Sequence, residues 1–559
     1  MSGGDAPRPA TGLTAAIVGH RLNRIADPPA VQARLEAILR TIDATLRDRA
    51  GDPVAPRLRL ISALAEGADQ LGVSAATAVG LDWDAVLPFP VEAYEQDFGP
   101  GAVRTAFRAL LARAGSVLVL DGQGVGASRD RGYDAAGKAL LDNCDVLIAV
   151  WDGLPGRGRG GTHDVVQEAV RRGIPIITLT PDGGSAVLRL SPANASGTLR
   201  LEDLVEAPLE GLPDLIGRIV GAEIAPPWPP LMCSPRRSWN YSAYPLLLSL
   251  AGVGRKRARG AARATSTPAS ATGALEQAFD WWDEAAIVAA QAFRSAVIVN
   301  FALAAVAVGL AALSLFSGDA KWIFVLAEVA TIILLLGNTT LAGRRRWQER
   351  WLESREMAEL LRVCLMLRKV GVGRGMAATD EPGWKAWYVQ AMARSQCLEP
   401  ADLSDADAAS RELVAQVSNQ AAWNEATAHR MHLVGHRIER FGETLFVLVL
   451  AAAIGWLVLR LANPHAAHDL TYVLTAITAG LPAIATASYG IGVILDFEGI
   501  ADRSGRMAAA LRRSFAGWDP TRANVAELQD VARLAADIML GDVAAWRLLA
   551  QGRRLKIPG

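Results

Sequence analysis

The sequence predicts an α/β N-terminal domain, with a parallel sheet and helices on both faces, followed by an α-helical membrane domain of four crossings. Two observations support this fold class. Through residue 180, short runs rich in Val, Ile and Leu alternate with amphipathic helical segments, a pattern typical of buried parallel sheets. The second half contains four apolar runs, each close to the roughly 20 residues that a helix needs to cross a bilayer.

The elements of the N-terminal domain can be assigned in order. Strands are predicted at Leu13–Val18, Leu58–Ala63, Asp84–Phe89, Ser116–Leu120, Asp145–Trp151 and Pro175–Thr180. Helices are predicted between them at Ala30–Arg47, Gly67–Val79, Ala102–Ala114, Arg131–Asn143 and Asp164–Arg172. Parallel sheets bind ligands at the carboxyl ends of their strands, so the loops that open these helices are where a site is expected.

Three of these loops have the composition of an anion-binding site. The first and third combine glycines with arginines, and the second, residues 62–69, has small residues that allow a ligand close to a helix N-terminus, whose free N–H groups favour anions. Each also has an ordinary interpretation: a turn, close helix–sheet packing, or a surface loop. The candidate ligand-binding residues are Gly19, His20, Arg21, Ala65, Glu66, Gly67, Asp69, Asp152, Gly153, Arg157, Gly160, Gly161 and Thr162.

Four short blocks in this domain carry a resemblance to a known family. They are Ile17-Val18-Gly19-His20-Arg21, then Ser62 with Ala65-Glu66-Gly67-Ala68-Asp69, then Val86-Leu87-Pro88-Phe89-Pro90 with Tyr94, Asp97 and Phe98, then Gly160-Gly161-Thr162 with Glu168-Ala169 and Gly173-Ile174-Pro175. In this order they resemble the SLOG superfamily of Rossmann-like domains, which is related to the Lonely Guy nucleotide phosphoribohydrolases. The resemblance covers roughly residues 12–182. It implies a pocket for a nucleotide-derived ligand, such as a cyclic nucleotide or an ADP-ribose-like signal, and no other cofactor.

The chain departs from the enzymatic members of that family at their catalytic loop. Their glutamate stands three residues after a threonine, where this chain has Val165; the nearest carboxylates are Asp164 and Glu168. Because a misplacement of about 1 Å can cost around a hundredfold in rate, the resemblance implies a sensor without a catalytic residue. A nucleotide hydrolase that uses Asp164 or Glu168 is the alternative, and Glu168 joins the ligand-binding candidates.

The apolar runs of the second half form two hairpins. Their crossings are predicted at Ala296–Phe316, Trp322–Ala342, Thr444–Leu461 and Thr471–Leu495. The basic residues Arg344, Arg345 and Arg346 directly follow the first hairpin. Lys and Arg beside short membrane flanks are retained in the cytoplasm, so we expect a multi-pass protein whose N- and C-termini are both cytoplasmic.

Similar residues flank the two hairpins and indicate a duplicated helix–hairpin–helix unit. Trp282-Asp283-Glu284-Ala285 precedes the first, and Trp423-Asn424-Glu425-Ala426 precedes the second. Amphipathic segments with Arg and Glu at helical spacing follow both. Over residues 275–515 this arrangement resembles the SLOG-associated membrane effectors of bacterial antiviral (CBASS-like) defence. It implies an effector of the bacterial inner membrane, a homo-oligomer in contact with the lipid bilayer, that permeabilises the membrane when a nucleotide second messenger binds.

Two polar residues of the first hairpin are candidates for membrane function. Glu328 is costly inside a bilayer, so it lines a pore, pairs with another helix or stays wet near the interface. Asn300 is suited to hydrogen bonding between helices. The expected domains are residues 1–11 disordered, 12–222 the SLOG-like domain, 223–274 a linker, 275–430 the first membrane repeat, and 431–559 the second repeat with C-terminal cytoplasmic helices.

Composition argues against several other classes of function. Lys plus Arg and Asp plus Glu each number 57, so a basic surface that binds nucleic acid directly is not expected. The cysteines Cys144, Cys233, Cys364 and Cys397 are far apart and form no CxxC pair, which argues against a disulfide framework and a metal site. The hydrophobic fraction of 51% fits a soluble part joined to a membrane part.

Overall fold

A computed structural model describes most of the chain and contains both predicted parts. The described residues are 5–9, 11–49, 57–122, 127–155, 160–192, 199–221, 229–233, 239, 241–253, 273–373, 383–394, 396, 401–404, 406–463, 470–519 and 524–551. An α/β sheet domain is followed by a helical region, as the sequence predicts. Arg157 and most of the expected linker 223–274 lie outside the described residues.

Nine strands of the described chain form one sheet, in the order β8-β7-β6-β5-β1-β2-β3-β4-β9. The six predicted strands are confirmed as β1 to β6, and they pair in parallel. The strands are β1 (Gly12–Gly19), β2 (Arg57–Ser62), β3 (Asp82–Leu87), β4 (Val117–Val119), β5 (Val146–Val150), β6 (Ile176–Leu179), β7 (Ala186–Leu190), β8 (Val205–Pro208) and β9 (Ala401–Asp402).

The sheet is not wholly parallel, because β7 and β8 add an antiparallel edge that the sequence analysis did not identify. A tight turn joins β6 to β7: the Thr180 N–H donates to the Ser185 carbonyl, and Gly183 has a φ of +72°. A turn this short can only connect antiparallel strands. Both strands are partly exposed, so they lack the continuous apolar run that marked the buried ones.

Helices cover both faces of the sheet and bury separate cores. One face packs α1 (Pro28–Arg49), α2 (Ala68–Val79), α4 (Ala102–Leu111) and α7 (Leu212–Val220), and the other packs α5 (Ala127–Asp142) and α6 (Thr162–Arg171). A single turn, α3 (Val91–Tyr94), follows β3. Since each βα unit places its helix N-terminus at the carboxyl edge of the sheet, α2, α5 and α6 all begin at that edge.

Four helices of the described chain are long and apolar enough to cross a membrane. They are α9 (Ala274–Leu313), α10 (Lys321–Arg344), α13 (Ala406–Ala462) and α14 (Thr471–Leu495). Helix α9 packs against both α10 and α14, and α14 also packs against α13. The remaining helices are α8 (Ala243–Leu250), α11 (Trp347–Arg368), α12 (Trp384–Arg394), α15 (Phe497–Ser514) and α16 (Val525–Gln551).

The backbone shows the same break at the end of each hairpin. Arg346 separates α10 from α11 with a φ of +50°, and Asp496 separates α14 from α15 with a φ of +53°. A positive φ is rare for residues other than glycine. Among the described non-glycine residues, the third position with a positive φ is Leu64. Two such breaks at corresponding places support the interpretation of a duplicated unit.

The helices that follow these breaks are also alike. Helix α11 packs against α9, and α15 packs against α13. When the two units are aligned so that Arg346 matches Asp496, Leu361 corresponds to Leu511, and both side chains are fully buried. Arg362 then corresponds to Arg512; the first forms an ion pair with Asp283 at the start of α9, and the second pairs with Glu425 of α13.

The helical region contacts the amino edge of the sheet. We call this contact the junction. Arg394 of α12 donates to Asp145, just before β5, at 2.8 Å, and to the Ile219 carbonyl at 3.1 Å. The Asp145 carboxylate also accepts from the Thr14 N–H of β1. Strand β9, which lies between the two hairpins in sequence, pairs with β4. The sheet therefore includes residues from the half of the chain that was assigned to the membrane domain.

Two segments that the sequence analysis expected to be disordered or a linker also make specific contacts. Within the stretch expected to be disordered, Ala6 is buried, its N–H donates to the Met232 carbonyl, and the Pro7 carbonyl accepts from Tyr388. Within the stretch expected to be a linker, α8 packs on α9, and the Tyr244 N–H donates to Ser295. These contacts attach both segments to the helical region.

Replacing Arg394 by alanine should destabilise the whole protein, because it removes the buried cation paired with Asp145. Breaking a buried ion pair typically costs about 3–5 kcal/mol, and Arg394 and Asp145 side chains are only 9% and 3% exposed. Arg40→Ala is the matched control, since its pair with Glu36 is exposed and should contribute about 0.5 kcal/mol or less. Thermal unfolding of the detergent-solubilised chains compares them; equal midpoints would contradict a structural role for the junction pair.

Candidate functional site

A cleft of about 430 Å³ opens at the carboxyl ends of β1, β2 and β5. It brings together residues from all three loops that the sequence analysis selected. The predicted residues that line it are Gly19, His20, Arg21, Ala65, Asp69, Gly160, Gly161 and Thr162. Loops far apart in sequence meet here because parallel strands present their carboxyl ends at one edge of the sheet.

Two of the predicted glycines are required by packing. A Cβ atom at Gly19 would lie 2.4 Å from the Ala68 Cβ, and one at Gly67 would lie 2.5 Å from the His20 carbonyl oxygen. Gly67 also has a φ of +112°, which other residues rarely adopt. The Ala68 N–H already donates to the His20 carbonyl, so this first turn of α2 is fastened to the β1 loop. Gly67 therefore shapes the cleft from behind, without lining it.

His20, which is buried and lines the cleft, is held by the more exposed Asp152. The His20 Nε2 lies 3.0 Å from the Asp152 carboxylate, which also pairs with Arg24 at 2.6 Å. Burial raises the pKa of Asp152, but the Leu154 N–H, His20 and Arg24 outweigh it, and the pKa is lowered overall. Asp152 is thus a stable anion that holds His20 and Arg24 in place and does not itself line the cleft.

Arg21 and Asp69 line the cleft together with Arg24, whose charge is already paired with Asp152. Among the described residues, none forms a hydrogen bond or ion pair with the Arg21 side chain, which is exposed to the cleft. Asp69 is only 4% exposed; burial raises its pKa to about 7, although the N–H groups of Ala65 and Ala63 and the charge of Arg21 lower it. An unpaired guanidinium beside a carboxyl group that is partly neutral near pH 7 is an arrangement suited to an anion.

The loop after β2 is held in an unusual conformation that presents Asp69. Leu64 has a φ of +59° and a fully buried side chain, and its N–H donates to the Ser62 hydroxyl at 3.0 Å. Tyr94 donates its hydroxyl to the Ala63 carbonyl, and burial raises the pKa of that hydroxyl. Strained backbone of this kind clusters at functional sites, where the surroundings hold it.

The loop before α6 approaches α5 closely and ends in a helix N-terminus at the cleft. Gly160 has a φ of +77°, and a Cβ there would lie 2.7 Å from the Asp134 nitrogen. Asp164 accepts a hydrogen bond from the Gly160 N–H at 2.9 Å, so its carboxylate is used to close this loop. The N–H groups of Thr162 and His163, in the first turn of α6, have no acceptor within the helix and are available to an anion.

Three further predicted residues, Glu168, Glu66 and Gly153, lie outside the cleft, and Arg157 lies outside the described residues. Glu168 lies further along α6 and pairs with Arg172 at 2.8 Å and Arg171 at 3.0 Å. The separation arises because Glu168 is nearly two helical turns beyond Thr162, at about 1.5 Å of rise per residue.

Sequence reasoning missed aromatic residues and a histidine that line the cleft. Tyr94, Tyr133, Trp151 and His163 all contribute to its wall. The His163 ring lies 5.7 Å from the Trp151 ring, and its Nδ1 is buried without a hydrogen-bond partner. His163 directly follows Thr162 in a loop already selected, so its position at a helix start was the available signal. Tyr133 lies inside the predicted fourth helix, and nothing local marks it.

The two intramembrane candidates have different surroundings. Asn300 is fully buried: it donates to the Thr339 hydroxyl at 2.8 Å and accepts from Asn338 at 2.7 Å, which ties α9 to α10. Glu328 is partly exposed on the α10 face that also carries buried Thr331. Among the described residues no hydrogen bond or ion pair reaches its carboxylate. Asn300 therefore stabilises the hairpin, whereas the Glu328 carboxyl group makes no such contact with the described residues.

Comparison with known proteins adds no further assignment. No protein-family model, curated protein or solved structure matches the chain. Within the residues that the structure describes, no group of three or more His, Cys, Asp or Glu side chains is placed to hold a metal ion. The candidate site is therefore defined by its geometry and by its charges.

Asp69 should make the stability of the protein fall as the pH rises from about 4 to 7. Burial raises its pKa from 3.8 to about 7, so in this window the folded chain holds a proton that the unfolded chain releases. Asp69→Asn should remove roughly 1–4 kcal/mol of this pH-dependent change in the free energy of unfolding. Asp214→Asn, at an exposed position, should leave the change as it is. Urea unfolding at several pH values measures this; an unchanged slope in Asp69→Asn would contradict the buried protonated state.

Proposed function

We propose that this protein is a membrane effector gated by a nucleotide signal. Its sheet domain binds a nucleotide second messenger, and its four apolar helices permeabilise the membrane in response. The observation that carries the proposal is the cleft at the carboxyl edge of the sheet, away from the junction pair of Arg394 and Asp145. In it, the N-terminus of α6 meets the Arg21 side chain, which has no partner among the described residues.

The chemistry of the cleft favours a nucleotide over a simple anion. Its volume of about 430 Å³ falls within the range of roughly 300–1,000 Å³ typical of small-molecule pockets. Arg21 and the N–H groups of Thr162 and His163 are suited to phosphate, whereas Tyr94, Tyr133 and Trp151 offer aromatic surface for a base. Cyclic nucleotides and ADP-ribose-like molecules combine both kinds of group.

Two helices connect the cleft to the apolar helices. Helices α5 and α6 begin at the cleft and end at the junction, where Asp142 of α5 accepts from Arg172, just after α6, and from Arg533 of α16, both at 2.9 Å. Helix α16 packs on α11, which packs on α9. A ligand that draws α5 and α6 together can therefore change the contacts of α16. Such a ligand shifts the equilibrium between the two arrangements of the helices only as far as it binds one arrangement more tightly than the other.

The alternative function, a membrane-anchored nucleotide hydrolase, has less support. The carboxylate of Asp164 closes its own loop, and that of Glu168 is paired with two arginines outside the cleft. Neither is positioned as a general acid or base for a ligand in the cleft. We therefore assign the cleft to sensing, without a catalytic residue.

The cellular setting belongs to the same proposal. The helices fit a multi-pass protein of the bacterial inner membrane with both termini in the cytoplasm, since Arg344, Arg345 and Arg346 flank one end of the hairpins. The role in antiviral defence rests on the resemblance of residues 12–182 and 275–515 to SLOG sensors and their associated membrane effectors.

Calorimetric titration of the purified full-length protein with cyclic dinucleotides and ADP-ribose tests sensing. We expect one of them to bind without turnover, and Arg21→Ala to weaken binding at least tenfold, about 1.4 kcal/mol, through loss of a charged hydrogen bond. Arg40→Ala, on an exposed face of α1, should bind normally. Product formation would favour the hydrolase, and unchanged affinity in Arg21→Ala would remove this residue from the site.

Replacing Asp142 by asparagine should separate binding from response. Asp142 lies away from the cleft, so affinity should stay within about twofold, whereas the ion pairs from Arg172 and Arg533 are weakened. Dye leakage from liposomes containing the protein should then require more ligand than for the unsubstituted chain. Asp134→Asn, in the same helix but exposed, is the control. Leakage at the original ligand concentration would show that the signal does not pass through Asp142.

A further inference from the structure

The four apolar helices are packed in a row that leaves its two end helices uncovered. The order is α10, α9, α14, α13, since α9 contacts α10 and α14, and α14 contacts α13. In their most apolar windows 22% of α9 and 17% of α14 are buried, but only 11% of α10 and 6% of α13. The central contact joins the second helix of one repeat to the first helix of the other.

In this central contact an aromatic ring packs on a glycine. A Cβ atom at Gly490 of α14 would lie 2.3 Å from the Phe301 ring of α9, so this ring occupies the space that a side chain at position 490 would fill. At the other end of the helices, the Tyr472 and Phe316 rings lie 6.3 Å apart. Helices in membranes associate through small residues of this kind.

The corresponding face of α10 also carries small residues, Ala330 and Gly337, and no described residue covers it. At the spacing that places Arg346 on Asp496, the small residues Gly480, Ala483, Ala487 and Gly490 of α14 correspond to Ala330, Ile333, Gly337 and Thr340 of α10. The α14 residues are buried or partly buried, whereas all four α10 residues are exposed. Trp322, which corresponds to Tyr472, is 66% exposed. In the second repeat, the corresponding face of α14 therefore packs against another helix, α9.

We propose that α10 of one copy of this chain packs against α13 of the next copy, in the way that α14 packs against α9 within one chain. Helix α13 is the uncovered first helix that this contact requires, and it presents exposed Phe446, Leu450 and Ile454. The interface is head-to-tail, because α10 and α13 belong to opposite ends of the row. Contacts of this type generate a closed ring when the rotation between copies closes.

The partner is a second copy because the contact of α9 with α14 already joins a first helix and a second helix of different repeats, and α13 and α10 are the first and second helices that remain uncovered. Lipid alone would cover leucine and isoleucine equally well, but it makes no use of the exposed small residues on α10. The proposal needs only that the four helices lie in a bilayer. It does not depend on the cleft binding a nucleotide, so it can be tested without any ligand.

Cysteine cross-linking in membranes tests the arrangement, in a chain carrying Cys233→Ser and Cys397→Ser. Chains with Gly337→Cys on α10 and chains with Leu450→Cys on α13 are co-expressed and treated with a bifunctional maleimide. We expect dimers when both chains are present, none from either chain alone, and a ladder of larger species when one chain carries both cysteines. Ile332→Cys, exposed on another face of α10, is the control and should not cross-link to α13.

Two results would overturn the proposal. Dimers from Gly337→Cys alone would indicate a two-fold contact between α10 helices. The absence of cross-links from Gly337→Cys to each of Phe446→Cys, Leu450→Cys and Ile454→Cys would indicate that lipid covers this face.

A second substitution tests the same face by size. A Cβ atom at Gly337 or at Gly343 of α10 meets no other atom within 4 Å, so neither leucine substitution should disturb the fold of a single chain. Gly337→Leu should convert the assembly to monomers, measured by native mass spectrometry in detergent, while Gly343→Leu, on another face, should leave it intact. A stable assembly in Gly337→Leu would contradict the interface.

Discussion

The buried ion pair between Arg394 and Asp145 is the contact on which the arrangement of the two halves depends. Asp145 also accepts the Thr14 N–H, so one carboxylate ties β1, the start of β5 and α12 together. Such a pair is costly to form and much more costly to break, which makes it specific about which surfaces meet. It places α12 at the amino edge of the sheet, whereas the cleft lies at the carboxyl ends of β1, β2 and β5. The helical region meets the carboxyl edge at β4, where the Val525 N–H of α16 donates to Asp121.

This placement explains why the same sheet can serve both halves. A parallel sheet has two unlike edges: helix N-termini and glycine-rich loops collect at one, and helix C-termini at the other. Asp142 and Arg172 lie at the second edge, and Arg533 donates to Asp142 there. Helices α5 and α6 span the distance between the two edges and are the connection that the proposed signal would use.

The candidate site was predictable where its residues are local in sequence. Gly19, Arg21 and Thr162 were found because glycines and cations after a strand have a recognisable composition, and all three line the cleft. Glu168 was carried over from a family pattern, and its distance along α6 places it elsewhere. Tyr133 faces the cleft only because α5 is packed at a particular rotation on the sheet, and no feature of its neighbours in sequence reveals that rotation.

The sequence by itself determined the α/β class, the six parallel strands and the four apolar helices, because side-chain periodicity and hydrophobic length follow directly from residue order. It also indicated the duplicated hairpin through the residues that flank it. Only the tertiary structure decided the antiparallel edge of β7 and β8, the pairing of β9 with β4, and the row in which α10 and α13 stay uncovered. The antiparallel edge is local in sequence, but β7 and β8 are partly exposed and carry no continuous apolar run. The pairing of β9 with β4 and the order of the row depend on contacts between residues far apart in sequence, which local patterns do not encode.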